Sequence, residues 1–171
     1  VMIGRENTWA QGYTGKGMTI ATIDSGLDTD HPNFAALPQD ALNGNSMTED
    51  QLSGLVAGLN ATKMHTGLTA EELYRSTKVP FAFNYGDEDL DVDHTGPFAN
   101  EHGTHVAGIA AANQVEGSDV VGVAHDAQIA VMKVMDQKGS IYTSYWLAAL
   151  EDALKLGCDM VNMSLGSPSG F

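Results

Sequence analysis

Asp24 and His102 are the residues of this chain most able to do chemistry together. Asp24 closes an apolar run and is followed by Ser25-Gly26; His102 follows Glu101 and opens the small-residue run Gly103-Thr104-His105-Val106-Ala107-Gly108. A histidine that takes and returns protons needs a carboxylate to fix its tautomer and to stabilise the imidazolium it becomes. Asp24 can supply one. Alone, an Asp-Ser-Gly run is more often a turn in which the carboxylate bonds nearby backbone; His102, beside a glycine that lets backbone and peptide approach closely, changes that reading. A rival chemistry is metal binding, because His102 and His105 stand three residues apart and could share a cation. The common zinc-peptidase pattern, however, places its glutamate between two histidines, whereas Glu101 precedes both. His105 reads as a packed side chain. His31, His65, His94 and His125 lack comparable neighbours and are assigned structural or solvent roles. Ser164 is the serine nearest a glycine motif, but Asn162 stands where a nucleophile elbow needs glycine, so it is rejected as nucleophile.

Positioning these groups needs a strand under Asp24 and a helix behind His102. Apolar runs at 18–23, 81–85, 129–134 and 160–163 are continuous rather than alternating, as expected of strands buried on both faces. They alternate with helical stretches, the pattern of a parallel sheet covered by helices, so the expected fold class is α/β. Ligands of such sheets collect outside the carboxyl ends of the strands, where Asp24 stands. Trp146, Leu147, Leu150 and Leu154 recur at helical spacing over 143–156, with Thr143 or Ser144 as cap and Gly157 as stop. That stretch is the expected crossover helix, its Trp146 stripe a core face. Residues 35–78 are more polar and carry two capping boxes, Thr48 with Gln51 and Thr69 with Glu72; they read as an insertion packed beside the main sheet. The run Asp87-Glu88-Asp89-Leu90-Asp91-Val92-Asp93 invites a calcium reading but lacks the glycine and closing glutamate of an EF-hand loop. It is assigned to a solvated acidic turn.

With 22 acidic and 8 basic side chains, the formal net charge is −14, which repels phosphate backbones and anionic headgroups. Nucleic acid and membrane surfaces are excluded as partners on that ground. A hydrophobic content of 43% supports one sizeable core, since a domain near this length buries about 70% of its unfolded surface. The lone Cys158 excludes an internal disulfide and leaves the compartment undecided. No apolar run approaches the roughly 20 residues that span a bilayer. The chain opens at Val1, as a mature or excised segment would, so a missing signal peptide says nothing about secretion.

In order along the chain, these motifs resemble those of the subtilases, the subtilisin-like serine peptidases. Ile23-Asp24-Ser25-Gly26 matches their Asp motif, His102-Gly103-Thr104-His105-Val106-Ala107-Gly108 their His motif, and Asn162-Met163-Ser164-Leu165-Gly166 their substrate-strand motif. Further similarity runs through Gly12-Tyr13-Thr14-Gly15-Lys16-Gly17, His31-Pro32, and Gly122-Val123-Ala124 to Val134, leaving out only the insertion. The insertion, Phe83-Asn84-Tyr85 and Ser164-Leu165-Gly166-Ser167 are most like the bacterial cell-envelope group of lactocepins and C5a-peptidase-like enzymes. The resemblance implies a subtilisin-like fold, a polypeptide substrate, a secreted or envelope-attached location, and peptide hydrolysis through an acyl-enzyme. Asp24 would orient His102, and His102 would serve as base and then acid. Ser164, Leu165 and Gly166 would pair with the substrate backbone, with Gly139, Ser140 and Ile141 as the facing strand.

Departures from the family carry further expectations. Only Ser167-Pro168-Ser169-Gly170-Phe171 follow Gly166, so the family's Gly-Thr-Ser nucleophile motif and oxyanion-hole asparagine have no counterpart. Residues 1–171 are expected to be the N-terminal portion of the peptidase domain, inactive alone. In the cell-envelope group a protease-associated domain commonly follows at this point, before the serine. The expected partner is the remaining C-terminal part of the domain, and an incomplete sheet would leave an unpaired apolar edge prone to association. Subtilases also often bind structural calcium through an acid following His-Pro and a loop after the His helix. Here Asn33 holds the first place and the loop 113–119 is altered; a neutral amide is a weak cation ligand, so no residue is assigned to a metal, although a structural calcium is the one cofactor the family admits. Two other functions compete. A noncatalytic relative binding peptides in its groove would lack the serine downstream; a metal-dependent hydrolase using His102 and His105 would contain metal.

Overall fold

The computed structural model describes residues 3–93 and 100–166; His94 and the ending 167–171 lie outside them. In chain order the helices are α1 (Arg5–Ala10), α2 (Glu49–Leu55), α3 (Asn60–Met64), α4 (Ala70–Leu73), α5 (His102–Ala111) and α6 (Thr143–Lys155), and the strands are β1 (Thr19–Asp24), β2 (Phe81–Asn84), β3 (Gln128–Lys133) and β4 (Met160–Asn162). The strands form one parallel sheet in the order β2-β3-β1-β4. The expected α/β class, a helix-covered parallel sheet, is what the chain adopts.

Strand periodicity decides which side chains face which layer, because successive residues point to opposite faces. Ala21 and Ile23 of β1, Phe81 and Phe83 of β2, and Ala130 and Met132 of β3 share one core with Ala149, Ala153 and Leu156 of the crossover helix. Ile20, Ala82, Ile129 and Val131 face the other way, into a core with Ala107 and Ala111 of α5. Asp24 shares the parity of Ile20, so the pleat turns its carboxylate toward α5. Every residue of β1 and β3 is buried, as their continuous apolar runs require.

Residues 35–78 cover the first of these faces, contributing Leu52, Leu59 and Leu73 to its core. Both capping boxes form: the hydroxyls of Thr48 and Thr69 accept from the backbone N–H of Gln51 and Glu72, whose side chains return the bond. A longer-range contact docks the segment. Fully buried Asp152 on α6 accepts from the backbone N–H of Asn60 at 2.7 Å and of Ala61 at 2.9 Å, and from the Tyr85 hydroxyl at 2.9 Å. The carboxylate thus caps α3 from another element. The acidic run is wired together rather than merely solvated. The Asn84 amide donates to Asp87 and Asp89, the Lys133 ammonium donates to the carbonyls of Asp91 and Asp93, and the Arg75 guanidinium donates to the Leu90 carbonyl.

Three local expectations are corrected. Helix α6 begins after Tyr142 with no side-chain cap, so neither Thr143 nor Ser144 holds that place. Its core face is built by Ala149, Asp152 and Ala153, three and four residues apart, with Trp146 and Leu150 at the margin; Leu147 and Leu154 face outward. Small residues let α6 sit close to the sheet, and Asp152 takes a place that apolar periodicity alone gave to leucine. Strand β4 is exposed instead of buried on both faces, Met160 being 61% accessible. It pairs with β1, and among the described residues no strand covers its other edge.

Candidate active site

Asp24 and His102 are brought together as their chemistry requires. Nδ1 of His102 lies 2.8 Å from Oδ1 of Asp24. The carboxylate is 2% exposed and the imidazole 47%. An ionised carboxylate only accepts, so Nδ1 carries the hydrogen and the lone pair of the neutral ring sits on Nε2. Among the described residues, Oδ2 of Asp24 is buried with no hydrogen-bond partner. The imidazole is held on its buried side and free to take a proton on its exposed side.

Ser25 ties the strand end to the helix start. Its backbone N–H donates to Oδ1 of Asp24 at 2.7 Å, its hydroxyl donates to the carbonyl of Asn100 at 2.9 Å, and that hydroxyl accepts from the N–H of Gly103 at 3.0 Å. The Asn100 side chain accepts from the N–H of His102 at 2.8 Å. Two of the first N–H groups of α5, unsatisfied within any helix start, thus find partners without a cap from Glu101. Within the same first turn, the Thr104 hydroxyl accepts from the N–H of Asp28. The bridging Ser25 and Asn100 escaped sequence reasoning; the one available signal was a hydroxyl residue directly after the strand-ending acid.

The other candidates are distributed as follows. Gly139, Ser140 and Ile141 form the far arm of a tight turn, in which Asp136 donates its N–H to the Ser140 carbonyl and Ile141 bridges Met135 in antiparallel fashion. Ser164, Leu165 and Gly166 follow β4; Leu165 packs against the core while Ser164 and Gly166 are exposed. Among the described residues no hydrogen bond joins the two segments, and none engages the backbone of 164–166. The Ser164 hydroxyl bonds the side chain of its neighbour Asn162. His105 is not packed inside, as its sequence setting suggested. Its position on α5 turns it outward, where it lines an apolar groove of about 520 Å³ with His31, Phe34, Ile109 and Val123. Among the described residues no three of His, Cys, Asp and Glu stand where they could hold a metal ion.

Comparison with known proteins agrees with the geometry. Residues 15–170 match the model of the Subtilase family. The PI-type proteinase of Lactococcus lactis subsp. cremoris is 36% identical over 166 residues, covering 92% of this chain and 8% of that protein. From Bacillus subtilis (strain 168), the major intracellular serine protease is 30% identical over 94% of this chain and 38% of its own length. The minor extracellular protease Vpr of the same strain is 30% identical over 96% of this chain and 16% of its own. The chain therefore spans less than half the length of each.

Proposed function

This chain belongs to the subtilase family, and on that footing we propose that residues 1–171 furnish the acid and base of a secreted or envelope-attached serine endopeptidase. The observation that carries the reading is the buried Asp24 carboxylate 2.8 Å from Nδ1 of a half-exposed His102. In the proposed reaction Nε2 of His102 takes the proton of a serine hydroxyl as its oxygen attacks the peptide carbonyl. The imidazolium formed, stabilised by Asp24, returns that proton to the departing amine. The acyl-enzyme left behind is hydrolysed by water activated on the same nitrogen, restoring serine and releasing the acid.

The serine is proposed to lie outside the described residues. The hydroxyls of Ser25 and Ser164 are committed elsewhere, Ser25 to Asn100 and Gly103, Ser164 to Asn162. The described residues alone are accordingly proposed to be inactive and to need the serine-bearing part of the peptidase domain as partner. An extended polypeptide would add as a strand between 139–141 and 164–166, where exposed backbone at Ser164 and Gly166 is without a described partner. The location follows the likeness to Vpr, extracellular by name, against an intracellular relative of equal identity; cell fractionation distinguishes them.

Fluorophosphonate labelling of the whole protein, read by peptide mass, tests the reading. Label on one serine, lost in the His102→Ala variant, is the expected result. No label on a folded protein that still binds peptides would replace the peptidase with a peptide-binding relative.

A further inference from the structure

The loop after α5 is held by a side-chain amide at the place where a cation would be expected from the family pattern. Asn33 follows His31-Pro32 and is 6% exposed. Its Nδ2 lies 2.8 Å from the carbonyl oxygen of Asn113 and 3.2 Å from that of Val120, the two ends of the loop. Carbonyls only accept, so the group they share must be the amide's NH₂ and not its oxygen. Backbone and a second amide complete the clasp: Asn113 donates its N–H to the Asn33 carbonyl at 2.7 Å, and its side chain donates to the Ala35 carbonyl at 2.7 Å.

This donor set does not fit a calcium ion. Calcium needs six to eight oxygen ligands at about 2.3–2.6 Å, usually with carboxylates among them. Here the convergent carbonyls are met by hydrogens, and the residue between them carries no charge. We infer that Asn33 does the work of the cation, making the loop 113–120 a metal-independent clasp beside the His102 helix. The two N–H bonds satisfy carbonyls that a bare loop would otherwise leave to water, and they do so without an ion that chelators can remove. One oxygen speaks for the alternative. Oδ1 of Asn113 is buried without a partner among the described residues, and a captured cation would satisfy it.

Hydrogen exchange on the chain, in calcium and in EDTA, separates the two. The reporting amides are Asn113, Ser118 and Val123, bonded to Asn33, Val115 and Ile109. In the wild type their protection is expected to be the same in both conditions. Asn33→Asp removes the NH₂ and sets a carboxylate against two carbonyls. Protection should then fall about tenfold or more in EDTA, the loss of two hydrogen bonds, and return in millimolar calcium. Asn33→Leu should lose protection in both conditions, because it offers neither hydrogens nor a ligand. Wild-type amides that lose protection in EDTA and regain it with calcium would overturn the inference. So would an Asn33→Leu protein as protected as the wild type. Both outcomes concern the loop alone and leave the peptidase reading untouched.

Discussion

A side chain at Gly103 would begin 2.2 Å from the carbonyl oxygen of Gly26 and 3.2 Å from Cβ of Asp24. The start of α5 therefore sits directly on the end of β1, and only a missing side chain permits it. The 2.8 Å bond between His102 and Asp24 depends on that closeness. Gly103→Ala must push the helix off the strand; overpacking of this kind costs about 1–3 kcal/mol. Urea unfolding should show that loss, and in the whole protein peptidase activity should fall further than stability does. A variant as stable and active as the wild type would mean that the helix has room to retreat.

Asp24→Asn keeps the shape of the site and removes the acceptor that fixes the ring's tautomer. An asparagine can donate to Nδ1, which moves the ring hydrogen to Nε2 and leaves no base. In the whole protein kcat is expected to drop about 10⁴-fold, with KM and unfolding midpoint little changed. Stopped-time peptide hydrolysis across pH measures it; a loss of under tenfold would demote Asp24 to a structural acid.

The pair was legible in sequence because both members stand at element ends set by strong local signals, the apolar run before Asp24 and the small-residue run after His102. Parity along β1 then did the rest, turning Asp24 to the α5 face. Contacts between distant segments were not legible. Nothing local marks Asp152 as the cap of α3, since its partners Asn60 and Ala61 lie some ninety residues upstream. The outward turn of His105 depended on which face of α5 meets the sheet, and Gly103, Ala107 and Ala111 decide that by being small. The exposure of Met160 follows from which strands flank β4, a property of pairing rather than of its own residues.

Removing the Asp152 carboxylate strands the buried N–H of Ala61, the buried Tyr85 hydroxyl and the half-buried N–H of Asn60, and releases the Lys155 ammonium 3.1 Å from Oδ1. Asp152→Ala should cost about 2–6 kcal/mol, about 1–3 for each of the two fully buried donors left unsatisfied. Hydrogen exchange should show the loss first in α3. Uniform weakening across the sheet, with α3 no worse than β1, would mean that the carboxylate does not anchor the segment 35–78.

Cys158 behaves as a protected thiol. Burial, with Asp159 beside it, pushes its pKa up to about 12 from an ordinary 9.0. Three units leave about a thousandfold less thiolate at any pH below both values, and thiolate is the reacting form. Labelling with a disulfide reagent at pH 8 should be slower than for the urea-unfolded chain by about tenfold or more, the scarcity of thiolate being partly offset by its greater nucleophilicity at higher pKa. Equal rates in the two states would show that the thiol is open to solvent.

Lys78 links stability to pH. Its side chain is fully buried, and its ammonium donates to the carbonyls of His125 and Ala127 at 3.0 and 2.7 Å. Burial lowers its pKa to about 7 from an ordinary 10.5, with Asp126 opposing the shift. Below pH 7 folded and unfolded chains both carry the proton and the contribution is constant. Between about 7 and 10.5 the unfolded chain holds more protons, so stability rises with pH across that window. The slope approaches its limit of about 1.4 kcal/mol per pH unit as the window is crossed. Urea unfolding from pH 7 to 8 should reveal this rise, before the unfolded Cys158 thiol, with its ordinary pKa of 9.0, titrates and opposes it. Lys78→Met leaves two carbonyls without donors and lowers stability overall, so the slope and not the absolute value is the readout. The variant should lose the rise; a Lys78→Met protein with the wild-type slope would place the linkage on another group.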